Sequence, residues 1–111
     1  MITERTVNDT AILDLPSVLD TDELRAKIQG LIDAQNKRVI INLSNITFIE
    51  SAGLGALVGI FKLCDENQAA VVFYGIQPYV QKLVEVTKLN RVLKISKTEQ
   101  EAMNLLSTAS A

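Results

Sequence analysis

The chain has 111 residues, 48% of them hydrophobic and 22% charged, enough to bury one core without help from a disulfide or a metal. Eleven basic and 13 acidic residues leave a net charge of −2 and no basic block, a balance that disfavours nucleic acid as a partner. With no histidine and only Cys64 for a thiol, no intrachain disulfide, Cys/His metal cluster, Ser-His pair or Cys-His pair can form.

The first residues, Met1-Ile2-Thr3-Glu4-Arg5, lack the basic region and apolar run of a secretory signal. No apolar stretch approaches the length of a membrane span, so the expected location is the cytoplasm, away from any membrane. Residues 5–15 suit two short strands joined at Asn8-Asp9, with Val7, Ile12, Leu13 and Leu15 as apolar positions. After Pro16-Ser17, residues 20–36 read as a helix. Asp20 and Glu23 stand at capping-box spacing, and Leu24, Ile28, Leu31 and Ile32 recur at helical intervals, with Arg25 and Lys27 facing solvent.

Val39-Ile40-Ile41-Asn42-Leu43 is short and β-branched, the pattern of a strand central to a sheet. In the connection that follows, Ile46, Phe48 and Ile49 are expected to anchor inward. A second helix is predicted from Ser51 to about Asn67, its apolar stripe made by Leu54, Leu57, Val58, Phe61 and Cys64. Residues 70–74 form another strand candidate closed by Gly75. Pro78 then suits the first turn of a helix reaching Asn90, its buried face traced by Val80, Leu83, Val84 and Thr87. Residues 92–95 are expected to be a last strand. Thr98 and Glu101 repeat the capping-box spacing ahead of Ala102, Leu105 and Leu106, and residues 107–111 are expected to fray. Strands alternating with helices indicate an α/β sheet layered by helices, and residues 1–111 read as a single domain.

Three segments could carry chemistry. Gly53, Gly55 and Gly59 resemble a dinucleotide fingerprint, but the spacing has one residue too many. About nine residues separate Leu43 from Gly53, where the fingerprint's glycines should follow directly on a strand. No carboxylate stands where a ribose would need one, and close helix packing accounts for these glycines better. A P-loop would require Gly-Lys-Ser/Thr, which is absent. Cys64 lies on an apolar stripe and reads as a core thiol. Ser51 differs in kind. It follows Glu50, precedes Ala52-Gly53 and sits where a helix N-cap belongs. Phosphorylated there, it would gain about −1.5 to −2 charges at a helix end that tolerates anions, so the fold could survive while a docked partner is repelled.

The stretch VIINLSNITFIESAGLGALVGIF, residues 39–61, resembles the signature of STAS domains and is most similar to stand-alone anti-sigma-factor antagonists. Its marks are a hydrophobic strand, a polar connection, a hydrophobic pair, an acid, a serine, a small residue and Gly-Leu-Gly. Residues 15–24, with Asp20, and residues 73–95 continue the resemblance over nearly the whole chain. It implies a single-domain STAS-like α/β fold, a mixed, mainly parallel β-sheet with helices largely on one face. It also implies a non-enzymatic partner switch without metal or cofactor. In that scheme the unphosphorylated form binds a serine kinase that doubles as an anti-sigma factor, phosphorylation of Ser51 ends binding, and a PP2C-type phosphatase restores it; independently of the resemblance, a monomer is the simplest expectation for the chain. Asp20, Glu50, Ser51, Ala52, Gly53 and Leu54 match the family's partner-binding surface. Two positions depart from the pattern: Glu50 replaces the usual Asp before the serine, and Ser17, after Pro16, stands where a glycine is usual. The competing expectation is a constitutive STAS subunit of a transporter or stress complex, with Ser51 only a cap.

Overall fold

A short hairpin opens the fold in the computed structural model, which describes residues 1–109. Strands β1 (Thr3–Val7) and β2 (Thr10–Asp14) pair antiparallel, with Thr3 opposite Asp14 and Val7 opposite Thr10. The two residues between them, Asn8 and Asp9, have φ of 50° and 63°, the left-handed pair that a two-residue hairpin needs and that Asn and Asp tolerate. Helix α1 (Thr21–Asp33) then leads to β3 (Arg38–Asn42), α2 (Ser51–Glu66) to β4 (Ala70–Tyr74), and α3 (Pro78–Val86) to the two-residue β5 (Ile95–Ser96). Helix α4 (Glu99–Ala109) closes the described chain.

The strands lie in the order β1-β2-β3-β4-β5, and every pair after the first is parallel. Each parallel crossover therefore steps one strand in the same direction. Because such crossovers share one hand, all three connecting helices belong on the same face. Side-chain alternation agrees. Ala11, Leu13, Val39, Ile41, Val71 and Phe73 pack in one core with Leu24, Ile28, Leu57, Ile60 and Val80. Their neighbours Ile12, Ile40 and Val72 point the other way, onto Ala102 and Leu106 of α4. With both faces covered, the inner residues of β2, β3 and β4 (residues 11–13, 39–41 and 71–73) are apolar in unbroken runs rather than alternating.

Several expected details differ. Val7, at the hairpin end of β1, is exposed, whereas Ile2, just before the strand's other end, is buried in the core. On α2 the fully buried stripe is Leu54, Leu57, Ile60 and Cys64; Val58 and Phe61 are only half-buried, because the apolar side of this helix is wider than its contact with the sheet. Helix α3 stops at Val86, where the Thr87 hydroxyl turns back onto the Leu83 carbonyl (2.7 Å) and Lys88 enters the left-handed region at φ 61°. A 3-10 turn, Leu89–Arg91, follows and delays the last strand to Ile95. The Thr98–Glu101 cap is present, the Glu101 N–H donating to the Thr98 hydroxyl at 3.1 Å. Helix α4 continues past residue 107 to Ala109, and the last two positions of the expected frayed tail lie outside the described residues.

A polar seam ties α4 to the sheet. Arg5 forks onto both oxygens of Asp14 (2.6 and 2.9 Å) and reaches Glu99 (2.7 Å) at the start of α4. The Tyr74 hydroxyl donates to the same Glu99 oxygen (3.0 Å), and the Asn42 amide donates to Asp14 (2.8 Å). Four strands and one helix meet in this network.

Candidate functional site

Three loops leave the C-terminal ends of the parallel strands on the side where α1, α2 and α3 begin. The first, after β2, is fixed by buried Leu15 and ends at Asp20, whose carboxylate accepts the Glu23 N–H at 3.0 Å and so caps α1. In the second, after β3, the Asn42 side chain accepts from both the Ser44 N–H (2.9 Å) and the Ser44 hydroxyl (2.6 Å), which bends the chain out of the strand. Asn45 then donates to the Leu15 carbonyl (3.2 Å), joining the first two loops. The third loop begins at Gly75, with φ of +75°, where an added Cβ would lie 2.9 Å from the Ser44 Cβ. No side chain fits that approach, so Gly75 lets the second and third loops touch.

Ile46 and Ile49 anchor the second loop inward as expected, but Phe48 does not. It is 60% exposed, and its ring stacks on Tyr79 of α3 with centroids 5.1 Å apart and planes 24° from parallel. The buried neighbours Ile46 and Ile49 already fill the space beneath the loop, and the residues between them turn outward. Phe48 thus joins the start of α3 to the residues leading into α2.

Ser51 is exposed, and its place in the helix is one residue later than expected. Glu50 is the N-cap, with extended backbone (φ −84°, ψ 164°), and its carbonyl accepts the Leu54 N–H at 3.0 Å. Ser51 is therefore the first helical residue, its hydroxyl without a hydrogen bond among the described residues. The helix end has no side-chain cap and no acid in its first turn. The N–H groups of that turn keep their affinity for an anion.

Of the other residues expected on the surface, Asp20, Glu50 and Ala52 are exposed. Gly53 and Leu54 are not; Leu54 is 5% exposed and belongs to the core. They shape the surface from below. A Cβ on Gly53 would come within 2.8 Å of Ile49 and 3.3 Å of Leu19, so this glycine lets the first two loops close over the helix start. Close packing does not explain Gly55, which has nothing within 4 Å of a Cβ, while Gly59 faces only the Arg25 guanidinium, at 3.5 Å.

Between the first two loops runs a groove of about 340 Å³, lined by Ser17, Val18, Leu19, Thr47, Phe48, Ile49 and Glu50. The loop carrying Pro16 and Ser17 thus lies beside the residues leading to Ser51. Val18 and Tyr79 were not singled out from sequence. Tyr79 stands four residues before half-buried Leu83, at the edge of the inner face of α3, so helical periodicity alone does not place it. Cys64 is buried, and burial pushes its thiol up to about 11, the behaviour of a core residue. Among the described residues no cluster of His, Cys, Asp and Glu could hold a metal, and no helix is long and apolar enough to cross a membrane.

The five strands in consecutive order, three helices on one face with α4 on the other, and the serine opening the central helix define a class, and residues 3–102 match the model of the STAS domain. The chain belongs to that family. Among its relatives is the anti-sigma-B factor antagonist of Listeria monocytogenes, 31% identical over 98 residues that cover 74% of this chain and 86% of that one. The fold is similar to that of an anti-sigma factor antagonist from Mycobacterium paratuberculosis, with a TM-score of 0.83 at 14% identity over 96% and 93% of the two chains. It is also similar to the Bacillus cell fate determinant SpoIIAA in its phosphorylated form, with a TM-score of 0.71 at 22% identity over 94% and 97%.

Proposed function

We propose that this protein is a partner-switching regulator without catalytic activity, an anti-sigma-factor antagonist whose affinity for its partner is set by phosphorylation of Ser51. The observation that supports this most is the exposed, unbonded hydroxyl at the first position of α2, in a chain of the STAS family. In its unphosphorylated form the protein binds a serine kinase that doubles as an anti-sigma factor, in the cytoplasm, as a monomer. Asp20, Glu50, Ser51 and Ala52 face that kinase, and Gly53 and Leu54 hold them in place.

The switch follows from charge. A serine kinase places a carboxylate base against the hydroxyl it phosphorylates. After transfer the same carboxylate faces a phosphate of about −2 charge, and at about 5 Å the repulsion is roughly 1.7 kcal/mol even in water-like dielectric. That exceeds the ~1.4 kcal/mol that corresponds to tenfold in affinity. The open end of α2 accommodates the phosphate, so binding is lost without refolding. A PP2C-type phosphatase then restores the hydroxyl.

Incubation with ATP and the serine-kinase anti-sigma factor of the same organism should add one phosphate to the wild-type chain and none to Ser51→Ala, as read by intact mass. Equal phosphorylation of the two proteins would assign the switch to another residue.

A further inference from the structure

The sheet ends at β5, and the outer edge of that strand is only partly closed. Phe73, in register with Ile95, donates its N–H to the Lys94 carbonyl at 2.9 Å. In a parallel ladder the residue in register with such a donor turns its own N–H and C=O away from the neighbouring strand. Both backbone groups of Ile95 therefore point outward, and no described residue closes them. The N–H groups on either side are taken: Leu93 donates to the Leu89 carbonyl (2.8 Å) and Lys97 to the Glu101 carboxylate (3.1 Å). A groove lies on each side of this edge. One, of about 480 Å³, runs past Ile76, Gln81 and Leu93 on the α3 side, and the other, of about 330 Å³, past Asn104 and Leu105 on α4. Ile95, Ser96 and Glu101 line both. The edge is also cationic. Lys88, Arg91, Lys94 and Lys97 recur every third residue, all exposed and without a side-chain hydrogen bond or ion pair among the described residues. Residues 88–97 contain no acid, although the whole chain has a net charge of −2.

We propose that the β5 edge binds an extended, acidic segment of a protein partner, added to the sheet as a sixth strand through the open N–H and C=O of Ile95. Alternate side chains of such a strand point to opposite faces, so successive residues enter the groove beside α3 and the groove beside α4. The backbone bonds hold the segment and the grooves select its side chains. The occupant follows from charge. A second copy pairing β5 against β5 would bring two sets of four cations together, and cations at a sheet edge keep like edges apart. The same charges attract an acidic strand and steer its approach. Ile95 offers a single donor and acceptor, so the contact is weak and sensitive to salt. Strand β4 separates β5 from β3, which leads to Ser51, and the inference does not depend on Ser51 or its phosphorylation.

The test is a titration of the isotopically labelled protein, followed by NMR at low salt, with a short end-blocked peptide of alternating Val and Glu. The Ile95 amide should shift with a dissociation constant below about 1 mM, and its hydrogen exchange should slow at least about threefold at saturation. Lys94→Glu combined with Lys97→Glu should weaken binding about tenfold or more, with circular dichroism confirming that the variant is folded. The same peptide methylated at every backbone nitrogen, and a peptide of alternating Val and Lys, should not bind. No shift at Ile95 with about 5 mM acidic peptide overturns the proposal, since even a millimolar site would then be largely filled. Equal binding of the methylated peptide, or unchanged affinity in the doubly substituted protein, overturns it as well. If vesicles of phosphatidylglycerol or a DNA duplex shift residues 88–97 and the acidic peptide does not, the surface serves a membrane or a nucleic acid and the proposal fails. Ile95 shifts that depend on the concentration of the protein alone would assign the edge to a second copy and overturn it too.

Discussion

Adding one methyl group at Gly53 and at Gly55 should change stability in opposite directions, although only Leu54 separates the two residues. At Gly55 a Cβ meets nothing within 4 Å, so Gly55→Ala gains helix propensity and should stabilise by up to about 1 kcal/mol. At Gly53 the new atom would press on Ile49 at 2.8 Å and on Leu19 at 3.3 Å. Overpacking of that kind costs about 1–3 kcal/mol, enough to outweigh the propensity gain. Urea midpoints of the two variants check the pair, and a stabilised Gly53→Ala would mean that the loops over the helix start are not closely packed. At Ser51 the same reasoning separates stability from binding. Its hydroxyl caps nothing, so Ser51→Ala should alter stability by less than about 0.5 kcal/mol. Ser51→Asp adds an acid to a first turn that has none and should stabilise by about 0.3–1 kcal/mol. The account therefore expects Ser51→Asp to melt no lower than wild type while binding the kinase at least about tenfold more weakly. A constitutive subunit would bind through both forms alike.

At the scale of elements, the attachment of α4 to the sheet sets the pH response. Hydrogen bonds from Arg5 hold the carboxyl groups of Asp14 and Glu99 below their usual range, aided by Asn42 at Asp14 and by Tyr74 at Glu99. A carboxylate with a depressed folded pKa contributes stability above its unfolded pKa and loses it as pH falls toward the folded value. The seam should thus stabilise fully at neutral pH and weaken below about pH 4, where unfolded Asp and Glu titrate. Tyr74 acts at the other limit. Burial, and then its bond to Glu99, push the phenol up to about 12, so its contribution is present below about pH 10 and lost between there and about 12. Arg5 and Glu99 are each more than a third exposed or close to it, so solvent screening keeps the effect small. Glu99→Gln should flatten the acid limb of a melting-temperature profile; an unchanged limb would show that α4 is held by Ala102 and Leu106 alone. This seam could not be read from sequence, because its members lie up to 94 positions apart and only the strand register brings them together.

At the scale of the whole molecule, the alternation of apolar strands and capped helices made the sheet and its order of elements legible. The pairs Asp20–Glu23 and Thr98–Glu101 located two helix starts, and Asn8-Asp9 located the hairpin, since each depends on residues near in sequence. What local pattern could not decide was competition for space. Phe48 looks like a core residue by type and is displaced because Ile46 and Ile49 fill the interior first. The last strand moved from 92–95 to Ile95–Ser96 because the 3-10 turn after Lys88 consumed the intervening residues. At the candidate site, Ser51 stands out by its neighbours in the chain, whereas the stacking of Phe48 on Tyr79 and the meeting of Val18 with Phe48 depend on which loops come together. The most direct test of the central claim is the affinity of the purified protein for its kinase before and after phosphorylation of Ser51, measured by titration calorimetry. A loss of at least about tenfold on phosphorylation, reversed by a PP2C-type phosphatase, is the expected result. Equal affinity of the two forms would contradict the switch.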